Sequence, residues 1–127
     1  MSYEGLNIFN YLEHPKVYII DMLGKVVHIW SWDAKSMINH AEICSNGDLV
    51  AIDNNNQLVV KLDWDSNVKW MKNMSGHHDI SIAGNGDIYV LTARNEYIPL
   101  ISKDKHRRVI WRMMRITNPE KYAIFRF

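Results

Sequence analysis

Glu42-Ile43-Cys44-Ser45-Asn46-Gly47-Asp48-Leu49-Val50-Ala51-Ile52 returns thirty-nine residues later as Ser81-Ile82-Ala83-Gly84-Asn85-Gly86-Asp87-Ile88-Tyr89-Val90-Leu91. In each copy Asn-Gly lies between two apolar runs, the strongest short-range signal for a β-hairpin. Asn and Gly both tolerate positive φ, so a type I′ turn is expected at each. A second kind of hairpin alternates with the first. Val17-Tyr18-Ile19-Ile20 and Val26-Val27-His28-Ile29-Trp30 flank the turn Asp21-Met22-Leu23-Gly24-Lys25. The pattern returns as Leu58-Val59-Val60-Lys61-Leu62, the turn Asp63-Trp64-Asp65-Ser66-Asn67, and Val68-Lys69-Trp70. A third, degraded copy runs from Ile98-Pro99-Leu100-Ile101 through a charged turn to Val109-Ile110-Trp111.

Working outward, Trp30, Trp70 and Trp111 end strands that this reading makes equivalent, 40 and 41 residues apart. A period near 40 with about four short strands per repeat marks the blades of a β-propeller. No stretch shows sustained 3.6-residue periodicity between caps, so almost no helix is expected. The expectation is an all-β chain forming one partial propeller over residues 1–127. Its three antiparallel, blade-like units cover roughly 5–35, 36–75 and 76–115, with a basic C-terminal strand at 116–127. Propellers close with about 4–8 blades. Three leave apolar sheet faces open, so the chain is expected to self-associate or to belong to a longer propeller. A sandwich or barrel built from the same hairpins is the remaining alternative.

At 127 residues, 47% hydrophobic and 23% charged, the chain has the composition of one soluble domain. The net charge of +1 recruits no partner by itself. Residues 1–100 hold seven Lys/Arg against twelve Asp/Glu, a net −5, while 101–127 hold eight against two, a net +6. The basic block, Lys103, Lys105, Arg107, Arg108, Arg112, Arg115, Lys121 and Arg126, is interleaved with Val109, Ile110, Trp111, Met113 and Met114. That pattern reads as a strand with a solvated face before it reads as a site for an acidic partner, and nucleic acid is not the expected ligand. The one cysteine, Cys44, excludes an intrachain disulfide. No apolar run approaches the ~20 residues of a membrane span. The opening MSYEGLNIFN has no signal-peptide pattern, so a cytoplasmic location is expected for the chain as written.

His77-His78-Asp79 is the sharpest local feature. Strand alternation would put His77 and Asp79 on one side and His78 on the other. Histidine at the start of an inner blade strand can bind an anion, shuttle a proton or act as a nucleophile. Taken alone, the tripeptide is read first as a polar hairpin edge, with Asp79 bonded to a nearby amide. No Cys/His spacing matches a zinc module, and no metal is expected. Asp63-Trp64-Asp65-Ser66-Asn67 opens like a calcium loop, but Val68 replaces the required Gly and Met74 the bidentate Glu. No phosphate-cradling Gly-rich loop, nucleophile elbow or dinucleotide fingerprint is present, and no cofactor is implied.

The run from Val17 to Trp30 resembles the opening blade of arylsulfotransferase-like propellers. His40-Ala41-Glu42, Asn46-Gly47-Asp48-Leu49, Leu62-Asp63-Trp64-Asp65 and His77-His78-Asp79-Ile80 follow in the order that family uses, so the resemblance covers roughly residues 5–95. It implies a six-bladed propeller that moves a sulfuryl group from an aryl sulfate to a phenol through a sulfohistidine. It makes His78 the catalytic channel histidine on the sulfate, with His77 and Asp79 binding substrate and orienting it. The family's nucleophilic histidine, a further histidine and an arginine lie in later blades that have no match here. The resemblance therefore implies a fragment or shortened relative, inactive unless completed by missing blades. The alternative is a non-catalytic module that self-associates through its open blades.

Overall fold

The computed structural model describes residues 4–11, 14–33, 38–96 and 108–117. Ten strands follow one another: β1 (Asn7–Asn10), β2 (Lys16–Ile20), β3 (Val26–Ser31), β4 (Ile38–Ile43), β5 (Leu49–Asp53), β6 (Leu58–Leu62), β7 (Val68–Asn73), β8 (Gly76–Ile82), β9 (Ile88–Glu96) and β10 (Arg108–Ile116). They form three antiparallel meanders, β1-β2-β3, β4-β5-β6-β7 and β8-β9-β10, and the described residues contain no helix. The chain is all-β, as its alternating apolar runs dictate.

Four hairpin turns share one geometry. The amides of Gly24, Gly47, Ser66 and Gly86 donate to the carbonyls of Asp21, Cys44, Asp63 and Ala83 at 3.0, 3.0, 3.1 and 2.9 Å. These four donors take positive φ, at 79°, 89°, 69° and 87°. Each loop is thus a type I turn closed by one left-handed residue. The type I′ turns expected at the two Asn-Gly pairs do not form, because Asn46 and Asn85 stay out of the left-handed region. Their side chains hold a different turn: Asn46 Oδ1 accepts the Asp48 amide at 3.1 Å, and Asn85 Oδ1 the Asp87 amide at 3.0 Å.

Burial follows from sheet order. One core layer joins the first and middle sheets through Val17, Ile19 and Trp30 against Ala41, Leu49, Ala51, Val60 and Leu62. A second joins the middle and third sheets through Val50, Ile52, Val59 and Trp70 against Ile80, Ile88, Val90 and Ile116. Every residue of β5 is therefore buried, since both faces of its sheet are covered. Fully burying such side chains contributes about 1.5–3 kcal/mol each.

Strand register corrects two expectations. Asp21 and Asp63 occupy the same turn position, 42 residues apart, so β2 and β3 match β6 and β7. On that register His28, opposite Ile19, takes the place of Trp70, opposite Lys61, and Trp30 lies two residues further along. The tryptophan spacing of 40 is not the structural repeat. Trp30 is buried in the first core layer, and its indole donates to the Asp63 carbonyl at 3.0 Å. His28 stacks on Trp64 with centroids 3.7 Å apart.

The second correction concerns Val109-Ile110-Trp111. Residues 98–101 and the charged turn lie outside the described residues, as do Lys103, Lys105, Arg107, Lys121, Arg126 and residues 118–127 of the expected basic strand. The three residues pair with Asn95, Arg94 and Ala93 of β9, in a ladder unbroken from Arg108↔Glu96 to Ile116↔Ile88. Ile116 faces Ile88 as Leu62 faces Leu49, so β10 holds the third position of its sheet, that of β6. Trp111 accordingly sits on a third strand, 49% exposed, and is not a core counterpart of Trp70. Among the described residues, the first sheet matches the last three strands of the middle one and the third sheet matches its first three.

Candidate functional site

The tripeptide His77-His78-Asp79 lies on β8, which packs against β4 of the middle sheet. Gly76 faces Thr92 and Ile80 faces Val90, so β8 advances four residues while β9 advances two. The surplus is a bulge made of the tripeptide. At the matching place β4 advances three residues, from Ile38 to Ala41, against two on β5. The His-His-Asp bulge is one residue longer. Gly76 opens it at a crowded position, where a Cβ would lie 3.1 Å from Val59 Cγ2 and 3.2 Å from Val90 Cγ1.

The bulge overturns the expected alternation of side chains. His78 takes φ 68°, a left-handed conformation that disfavours side-chain-bearing residues by about 1–2 kcal/mol. This twist brings the two imidazoles together, edge to face, with ring centroids 3.9 Å apart. Both then meet Trp111 of β10: His77 edge-on at 5.4 Å and His78 near-parallel at 5.9 Å. His77 is half-buried, and its Nδ1 is buried without a hydrogen-bond partner among the described residues. Burial, then the neighbouring His78, holds the His77 pKa below its ordinary 6.5, so its ring is neutral at neutral pH. His78 is exposed.

Asp79 turns the other way, toward the middle sheet. Its Oδ1 lies 3.9 Å from His40 Nε2, and that nitrogen is 2.9 Å from Glu42 Oε1. Asp79 and His40 occupy the same register position on their sheets, one residue before Ile80 and Ala41. The offset of 39 between the Asn-Gly hairpins already carried that match. The role of Trp111 carried no such signal, because it depends on β10 pairing with β9. Among the described residues no group of three or more His, Cys, Asp or Glu is placed to hold a metal ion.

Chemically, the arrangement joins two imidazoles, one with an unpartnered ring nitrogen, to a half-exposed indole. Imidazole N–H groups suit an anion's oxygens, and the indole offers a stacking face for an aromatic ring. Compared with known proteins, the chain matches no protein-family model, and no curated protein matches it.

Proposed function

We propose that the three sheets are successive blades of a β-propeller of the arylsulfotransferase type, and that His77, His78 and Trp111 form the aryl-sulfate-binding part of its site. One observation carries this reading: the left-handed bulge at His78 that brings both imidazoles against one indole. Strained backbone of this kind concentrates at functional sites. The sheets follow in sequence, each a short meander, and β4 packs against β8, which suits first strands gathered about an axis.

In this reading His78 donates to the sulfate oxygens and disperses charge during sulfuryl transfer. His77, neutral and partly desolvated, sets the other wall, and the aryl ring lies along Trp111. Asp79 acts from the same strand as His78, through His40 of the adjoining sheet. The nucleophile and arginine that the family resemblance implies are assigned to none of the described residues. Binding of an aryl sulfate without turnover is the outcome this reading expects of the chain.

Titration with 4-nitrophenyl sulfate, followed by calorimetry, tests this. Saturable binding is expected, weakened about tenfold or more by His78→Gly, in keeping with loss of a charge-assisted hydrogen bond. Glycine adopts the left-handed backbone freely, so this change removes the ring without straining the bulge. Equal affinity in the two proteins, or no binding by the wild type, sinks the reading. Release of nitrophenolate in the presence of phenol, abolished by His78→Ala, would instead place a complete site within this chain.

A further inference from the structure

Among the described residues two sheet faces are left open, and their register makes them the two halves of one interface. Toward the third sheet the middle sheet presents Val50, Ile52 and Val59. The same positions of the third sheet hold Tyr89, Leu91 and Met113, which alternate with the buried Val90 and so face away from the middle sheet. Toward the first sheet the middle sheet presents Ala51, Val60 and Leu62, with Met71 packed beside them. The same positions of the first sheet hold Phe9, Tyr18, Ile20 and Ile29, on the face opposite Val17 and Ile19. Thus the outer face of the third sheet corresponds to one side of a contact the chain already makes twice. The outer face of the first sheet corresponds to the other side.

The exposure of these residues agrees. Met113 is 61% exposed and Ile29 43%, whereas their counterparts Val59 and Met71 are packed in the core layers. Charge is prepared in the same way. Lys61 lies inside the contact between the middle and third sheets, paired with Asp48 at 3.4 Å. Its counterpart Arg115 is paired with Asp87 before anything covers it, with Nε to Oδ2 at 2.9 Å.

We infer that a second copy of this chain docks head to tail, the third sheet of one copy covering the first sheet of the next. The contact is heterologous, so it closes into a ring or propagates. It extends the two sheet-to-sheet layers inside the chain and is independent of the ligand assigned to His78.

Sedimentation of the full chain tests this with two variants, Ile29→Lys on the first-sheet face and Met113→Lys on the third-sheet face. Lysine at both sites makes the broken faces repel each other. The wild type is expected to associate as concentration rises. Each variant is expected to lose about tenfold or more in association, because a charge enters an apolar contact. Mixed in equal amounts, the variants should form a 1:1 dimer through their two intact faces. A face-to-itself contact gives no such rescue. Circular dichroism checks each variant's fold, and Val27→Lys replaces any Ile29→Lys protein that fails it. A monomeric wild type, or a mixture of folded variants that stays monomeric, overturns the inference. His78→Gly should leave association unchanged, which separates this result from the ligand test.

Discussion

Asn46-Gly47-Asp48 and Asn85-Gly86-Asp87 are built alike down to the hydrogen bond, yet they stand in different surroundings. In both, the asparagine amide donates to the aspartate two residues on, at 3.0 and 3.1 Å. In both, the glycine takes the left-handed conformation. The aspartates then meet different partners. Asp48 lies 3.4 Å from Lys61, with side chains only 8% and 5% exposed, and accepts a second bond from Lys69 at 2.7 Å. Asp87, as buried as Asp48 at 8% exposed, holds Arg115, whose side chain is 53% exposed. The middle sheet is covered on both faces and the third on one, so the same motif is a buried ionic network in one place and a half-solvated pair in the other. Turn chemistry is local; what an ion pair is worth depends on the sheet laid over it.

The widest gap between the two sites should appear on removing the aspartates. Asp48→Ala breaks a buried ion pair by removing one partner and is expected to cost about 3–5 kcal/mol. Asp87→Ala removes an equally buried carboxylate but leaves behind a guanidinium that is half in solvent, so the loss is expected to be smaller, about 1–3 kcal/mol. Urea denaturation measures both, and equal losses would break the comparison.

Acid should widen the contrast along another axis. Burial pushes the Asp48 pKa up, but bonds from Lys69 and Asn46 and the charges of both lysines outweigh it, leaving it below the ordinary 3.8. Its stabilisation is therefore present above pH 3.8 and lost as pH falls through the lower folded-state value. Asp48→Asn should remove that part of the acid-side loss, visible in denaturation midpoints collected against pH.

Glycine substitutions sharpen the comparison at smaller cost. Gly76 occupies the register position of Ile38, yet a Cβ there meets Val59 and Val90. Gly76→Ala is expected to cost about 1–3 kcal/mol by overpacking. Gly47→Ala and Gly86→Ala should each cost about 1–2 kcal/mol, because their strain is that of one left-handed residue. Similar losses at these two, beside unequal losses at the aspartates, are what the comparison requires.

The smallest effect belongs to His77, which has no counterpart in the shorter β4 bulge. Its lowered pKa means that the neutral form stabilises the fold above pH 6.5, a contribution lost as pH falls through the lower folded value. His77→Gln should flatten that part of the stability profile, and an unchanged profile would show the ring to be indifferent to burial.

Much of this was legible in the amino-acid order. The apolar runs around Asn46-Gly47 and Asn85-Gly86 are strands, the turns fall where Asn, Asp and Gly cluster, and Trp30 and Trp70 are core residues. The turn type was not legible from Asn-Gly alone, because Asn46 and Asn85 spend their side chains on the backbone and leave positive φ to the glycine. The tryptophan spacing misled by two residues, since Trp30 and Trp70 reach different core layers from different positions of matching strands. At the candidate site, His40 was within reach through the offset of 39 that sets it beside Asp79. The meeting of His77, His78 and Trp111 was not, for it needs both a bulge that cancels strand alternation and a distant strand paired with β9.

The sequence by itself determined where strands run and where they reverse, because alternation of apolar side chains and the hydrogen bonds of short polar turns act over a few residues. Only the tertiary structure decided which sheet faces are covered, which strand β10 joins, and which charges are desolvated. Those depend on a neighbouring sheet's surface, and no local stretch encodes what will be packed against it.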